Sequence, residues 1–196
     1  MSAARRRKAI SIIESSRVPV VPKPAAGAPR ARAGAARWRQ LAFPLQHQQH
    51  VNWCWAAVAA SVALYYRPRA TWTQCKVADV ELQRCDCCGS GGRRRCNVPG
   101  HLDTSLRIVG RLARRQWARS TFAQAGREVR ARRPLGARIQ WPNGDGHFAT
   151  IVGFLAGRPR MLAIDDPYYG RSHVDYRTFC RGYYHGKWTD SYFTKR

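Results

Sequence analysis

The chain holds 196 residues, 44% of them apolar, which suits one domain with an ordinary buried core plus a tail. No apolar run approaches the roughly 18 residues that a membrane-spanning helix needs, so no membrane span is expected. The net charge of +24 would ordinarily point to nucleic acid, but 30 of the 35 basic residues are Arg, a skew that GC-rich coding alone produces, and no RNP-type or zinc-finger motif accompanies it. A basic nucleic-acid-binding protein with an incidental thiol is therefore an alternative that is not favoured.

Residues 1–38 carry Arg5, Arg6, Arg7 and Lys8 and then, from Val18 to Arg37, a Pro/Ala/Gly/Arg-rich stretch with little apolar periodicity. Such a segment buries too little to offset its ordering entropy, so it is expected to be a disordered basic leader, with the folded domain spanning 39–196. Ala9–Ile13 is shorter than the apolar segment of about 7 to 15 residues in a secretory signal, and Glu14 ends it, so no Sec signal is expected.

Cys54 to Tyr66 is Ala-rich, lacks Gly and Pro and stops before Pro68, which predicts a mostly buried helix with Cys54 in its first turn. A loop follows from Gln83 to Pro99, carrying four cysteines and Gly89-Ser90-Gly91-Gly92. The spacing of Leu102, Leu106, Val109 and Leu112 predicts a helix over 103–116. Thr121 with Gln124 three residues on is a capping-box start for a helix that ends before Pro134. Beyond it, Ala137–Trp141, Phe148–Leu155 and Met161–Ile164 are short apolar runs separated by Pro142-Asn143-Gly144 and Gly157-Arg158-Pro159, which predicts strands. Helices first and an antiparallel sheet afterwards describe an α+β fold.

A thiol is a useful nucleophile only as thiolate, and a helix start favours thiolate through its unpaired N–H groups and the positive end of the dipole. Cys54 meets that requirement; in isolation it would read as a small buried core residue. Farther on, His147 enters an apolar strand after Gly144-Asp145-Gly146, and Asp165-Asp166-Pro167 closes the next one. Strand alternation sends Asp165 and Asp166 to opposite faces. Pro167 biases Asp166 to an extended backbone at the strand end, and Asp165 is the other candidate partner of His147.

The segment Gln48-Gln49-His50-Val51-Asn52-Trp53-Cys54-Trp55-Ala56-Ala57 resembles the active-site segment of papain-like cysteine peptidases, in which a Gln stands six residues before the Cys and a Trp follows it. The blocks from Gly144 to Phe154 and from Ala163 to Gly170 are similar to the short bacterial branch of that superfamily. This branch includes effector proteases injected into plant hosts and peptidase domains that trim bacteriocin leaders. Cys87-Cys88-Gly89, Cys96-Asn97 and the Tyr183–Trp188 region match the effector type, so the resemblance spans about residues 42–194.

The resemblance implies a papain-like α+β fold, with Cys54 on its helical part and His147 and Asp166 on its sheet. It implies a Cys54–His147–Asp166 triad, with Asp166 favoured over Asp165 because its Asp-Pro context is the one that matches, and an oxyanion hole made by the Gln48 amide and the Cys54 backbone N–H. The substrate would be a protein or peptide, the reaction hydrolysis without cofactor or metal, and the destination outside a bacterial cell, with a cytoplasmic location left open. The same Cys–His–Asp order also serves transglutaminases and other acyltransferases, so amine transfer is an alternative to hydrolysis. Trp53 and Trp55 are expected to pack around the site, with Trp55 a candidate shield for the Cys–His pair.

Seven cysteines are an odd number, and Cys54 is the natural one to stay free. Cys75, Cys85, Cys87, Cys88, Cys96 and Cys180 can be paired, free, or in part zinc-bound: Cys85, Cys87, Cys88 and Cys96 offer four thiolates, although without the usual C-x-x-C pairs. Disulfides would imply an oxidising destination.

Overall fold

The computed structural model describes residues 37–196, so the expected leader lies outside the described residues except for Arg37 and Trp38. Helix α1 runs from Cys54 to Tyr66, and every residue from Cys54 to Ala63 is buried, as an Ala-rich stretch without a polar face requires. It stops at Arg67, which is extended (φ −140°, ψ 98°) because Pro68 disfavours a helical predecessor. Helix α2 (Gln74–Glu81) starts on Thr73, whose hydroxyl accepts from Lys76 N. A single turn, α3 (Cys87–Ser90), precedes helix α4 (Leu102–Ile108). Both α2 and α4 pack on α1, and Glu81 ties them together by accepting from Ser105 Oγ and His101 N, its carboxyl pushed up by burial.

The helix predicted over 103–116 is two elements. It ends at Ile108, and strand β2 covers Leu112–Gln116, with strand β1 (Arg39–Gln40) earlier in the chain. Gly110 at φ +70° makes the break. Arg111 N donates to Leu106 O and Gly110 N to Arg107 O, the paired bonds of a left-handed glycine stop. The apolar spacing continued through the glycine, but the chain conformation did not.

Helix α5 (Phe122–Arg130) carries the expected capping box, with Thr121 and Gln124 bonded reciprocally. The strands that follow are β3 (Leu135–Gln140), β4 (Gly146–Leu155), β5 (Met161–Asp166) and β6 (Gly170–Asp175). Helix α6 (Tyr176–Arg181) is capped by Asp175, and strand β7 (Lys187–Thr194) closes the chain. The antiparallel sheet has the order β2-β7-β3-β4-β5-β6, with β1 added beside β4.

One face of the sheet contributes Phe148, Val152, Ala163 and Tyr192 to a core shared with α1, α2 and α4. The other contributes Ala149, Ile151, Leu162 and Ile164 to a second core with α5 and α6. Alternation along β4 and β5 therefore decides which side chains meet: His147 falls in step with Ala149 and Ile151, and Asp166 with Leu162 and Ile164.

Candidate active site

Helix α1 opens at Cys54 with no side chain capping it, so its first-turn N–H groups remain available to a negative charge. Cys54 is 7% exposed and carries a free thiol. The segment that leads into it is pinned from several directions. Gln49 N donates to Gln74 Oε1 (2.9 Å) and Gln74 Nε2 to His47 O (2.8 Å), while Gln48 N donates to Pro167 O (2.9 Å), next to the acid. Asn52 N and Nδ2 donate to Asn97 Oδ1 (3.0 Å) and Asn97 O (2.9 Å), and Trp53 Nε1 to Cys96 O (2.7 Å).

His147 is the second residue of β4, opposite Ile139, and Asp166 is the last of β5, opposite Gly170. Across that pair of strands His147 Nε2 lies 2.8 Å from Asp166 Oδ1, with the ring 5% and the acid 0% exposed. The same Oδ1 accepts from Tyr168 N (2.8 Å) and Tyr169 N (2.9 Å), and Oδ2 accepts from Tyr183 OH (3.1 Å). Asp165 turns to the opposite face, where Arg171 Nε (2.7 Å) and Nη2 (2.8 Å) hold it and a further Arg171 bond reaches Phe43 O.

Burial works against a charged His147, but the Asp166 carboxylate, by charge and hydrogen bond, together with the Cys54 sulfur, outweighs it and raises the imidazole to about 10. With Nε2 on Asp166, Nδ1 is the ring nitrogen left for Cys54. Burial and the neighbouring Asp166 charge push the Tyr183 phenol far up, so it stays a neutral donor.

In Gln48 both amide hydrogens are spent locally, on His50 O (3.1 Å) and Val51 O (2.6 Å), and its Oε1 is buried without a partner. The structure brings Gln48 beside the nucleophile segment but turns its donor toward backbone carbonyls. Trp55 is not the shield of the pair: it is fully buried, with its Nε1 on Val98 O (3.2 Å) and its ring against Gly100. Trp141 takes that place, stacked on His147 at 5.5 Å and 28° and tied by Nε1 to Tyr184 O (3.2 Å). Tyr169 meets the imidazole edge-on at 6.0 Å and stacks on Tyr184.

Sequence reasoning gave no role to Trp141, Tyr183 or Asn97. The match of Cys96-Asn97 and Tyr183–Trp188 to the effector type was the available signal, but it named no contact. Four of the cysteines pair, Cys75 with Cys88 and Cys87 with Cys96, while Cys54, Cys85 and Cys180 are free. The zinc alternative fails on these bonds: Asp86, Cys87 and Cys96 lie within 4.8 Å of one another, yet both sulfurs are in a disulfide. Among the described residues, no helix is long and apolar enough to cross a membrane.

A thiol at a helix start, packed on an antiparallel sheet that presents a histidine and an acid, is the architecture of papain-like cysteine peptidases. The family profile described as papain-like cysteine protease AvrRpt2 matches residues 36–183, and the chain belongs to that family. It is a papain-like cysteine protease, a hydrolase. Among solved structures it is similar to a double glycine motif protease from an AMS/PCAT transporter in complex with the leader peptide. The two are 18% identical over 80% of this chain and 94% of that one, with a TM-score of 0.47. It is also similar to the Pseudomonas avirulence protein AvrPphB, 12% identical over 79% and 98% of the two chains, with a TM-score of 0.40. The comparison with curated proteins found no match.

Proposed function

We propose that the chain hydrolyses peptide bonds in a protein or peptide substrate with Cys54 as nucleophile, His147 as base and acid, and Asp166 as the group that orients His147. The observation that carries this reading is the 2.8 Å bond between buried His147 Nε2 and Asp166, which fixes the tautomer and leaves Nδ1 for the thiol. In the resting pair the proton of Cys54 is already on Nδ1, as the raised imidazole favours, and the thiolate attacks the carbonyl carbon as the carbonyl electron pair moves onto oxygen. Collapse expels the amine, which takes the proton from His147. A water deprotonated by His147 then cleaves the thioester and restores Cys54.

The oxyanion hole in this reading is the Cys54 backbone N–H together with Gln48. Turning the Gln48 amide exchanges one bond to a backbone carbonyl for a charge-assisted bond to the oxyanion. The peptidase domain is residues 39–196, with 1–38 outside the chemistry, and the scheme uses no cofactor. The two disulfides support an oxidising destination and hence export from a bacterial cell.

A peptidyl epoxide that traps papain-like thiols tests the assignment. Mass spectrometry should find the adduct on Cys54 alone, and His147→Ala should abolish it. Labelling shared with Cys85 and Cys180, or unchanged by His147→Ala, would overturn it.

A further inference from the structure

The residues between α3 and α4, 91–101, form only turns, bends and extended chain, yet this loop grips both neighbours of Cys54. Asn97 takes both amide donors of Asn52, the Cys96 carbonyl takes the Trp53 indole, and the Val98 carbonyl takes the Trp55 indole. What shapes the loop in turn is sulfur. Cys96 is bridged to Cys87, whose backbone N–H donates to Asp79 Oδ1 (2.8 Å) on α2, and the next residue, Cys88, is bridged to Cys75, also on α2. A continuous connection therefore runs from α2 through two disulfides to residues 96–98, and from there by hydrogen bonds to residues 52–55 around the nucleophile.

We propose that Cys75–Cys88 and Cys87–Cys96 are a redox latch on the nucleophile: oxidised, they hold the loop that positions Cys54, and reduction by a dithiol releases it. The proposal rests on the reading of Cys54 as the catalytic thiol. The bridges differ in access. Cys88 is exposed, whereas Cys87 and Cys96 are each 1% exposed. A cavity of about 540 Å³, lined by Cys75 and Cys88 together with Cys87, His50 and Trp53, opens onto the accessible Cys75–Cys88 bridge.

In the reductive step a thiolate of the dithiol attacks Cys88 Sγ. The S–S bond breaks, and its electron pair leaves on the Cys75 sulfur, which takes a proton. The second thiol of the reagent resolves the mixed disulfide, freeing Cys88 and leaving the reagent as its own disulfide. Two electrons and two protons pass to the protein, and the same exchange opens the buried Cys87–Cys96 bridge once the loop has loosened. Cys54 must be reduced to act and the latch must be oxidised to hold it, so activity peaks at an intermediate redox poise and is silenced in a strongly reducing compartment.

The test uses the full chain in glutathione buffers of increasing reducing strength and then in dithiothreitol. Thiol-trapping mass spectrometry reads the state of the four bridging cysteines, and iodoacetamide reads the reactivity of Cys54 without need of a substrate. As the bridges open, Cys54 modification should slow by about 10- to 100-fold, the scale of a small misplacement of a reacting group, and recover on reoxidation while melting stays cooperative. An undiminished rate with all four thiols free would overturn the latch, as would loss of the cooperative melt on reduction. Asn97→Ala, with both bridges intact, should slow Cys54 in the same direction and respond less to dithiothreitol; a wild-type rate in that variant also overturns the latch. The two readings fail differently: a Cys54 fast in every buffer sinks the latch alone, and one no faster than exposed Cys85 in any buffer sinks the nucleophile assignment itself.

Discussion

On the helical side of the molecule Cys54 is placed by a helix start and by bonds from Asn52 and Trp53 to a loop that is tied at Cys96 by a disulfide to Cys87, next to the Cys75–Cys88 bridge. On the sheet side His147 and Asp166 are placed by backbone ladders: His147 pairs with Ile139 of β3 and Asp166 with Gly170 of β6, just beyond the β4–β5 ladder that begins at Thr150 and Asp165. The difference matters because ladders between paired strands open only with the sheet, whereas a turn-rich loop opens locally once its cross-links go. In the proposed scheme the His147–Asp166 pair is thus the part held by strand pairing, and Cys54 the part whose placement leans on cross-links.

The largest expected effect is on the helical side. Cys54→Ala should reduce peptide hydrolysis by about 10⁶-fold, the scale of losing a nucleophile from a catalytic set, while a thermal melt stays close to that of the parent chain. Turnover retained by a folded Cys54→Ala chain would remove the basis for treating that side as the reacting one.

Next comes the sheet side, where Asp166→Asn should cut kcat by about 10⁴-fold, because an amide permits the wrong imidazole tautomer. Asp165→Asn should leave kcat nearly intact and instead lower the melting temperature, since it breaks the pairing of a buried acid with Arg171. If kinetics run side by side made Asp165→Asn the severe variant, the ladder register would not be what orients His147. The pair also sets a pH signature. His147 is raised in the folded chain to about 10, so its ion pair contributes fully below the unfolded value near 6.5 and is lost as pH rises through about 10. Asp166→Asn removes the charge that favours the imidazolium, so the alkaline limb of Cys54 alkylation should move down in pH.

Gln48→Ala should lower kcat by about 10- to 1000-fold with KM little changed if its amide serves the oxyanion. A change confined to KM would make Gln48 a binding residue and leave the oxyanion to backbone alone. Tyr183→Phe, which removes one of the donors to Asp166, should cost about 0.5 to 1.5 kcal/mol of orientation, read as a severalfold lower kcat. No kinetic change there would show that the ladder and the Tyr168 and Tyr169 amides hold Asp166 without the phenol. The smallest effect belongs to deletion of residues 1–38, which should leave the melt and the chemistry of Cys54 unaltered; loss of cooperative melting would show that the leader packs against one of the two sides.

Parts of both sides were legible. The 54–66 helix, the break before Pro68, the capping box at Thr121 and the turn before His147 are each written within a few neighbouring residues. The 103–116 segment misled because the apolar repeat of a short helix and of the strand after it happened to run in phase across Gly110. Strands β6 and β7 and helices α2 and α6 went unread, since their residues carry no sustained period and are stabilised by the neighbours they meet.

By itself the sequence determined the parts: a thiol at a helix start, a Gln six residues before it, a histidine after a tight turn and a pair of acids at a strand end. Those are signals of backbone preference and spacing, which act over a handful of residues. Only the tertiary structure decided how the parts combine: which cysteines bond, that Trp141 rather than Trp55 covers His147, that Tyr183 reaches Asp166, and that the Gln48 amide rests on its own backbone. All but the Gln48 turn, which is local, depend on strand register or on loop closure between residues farther apart in the chain, and in a strand a shift of one position exchanges one face for the other.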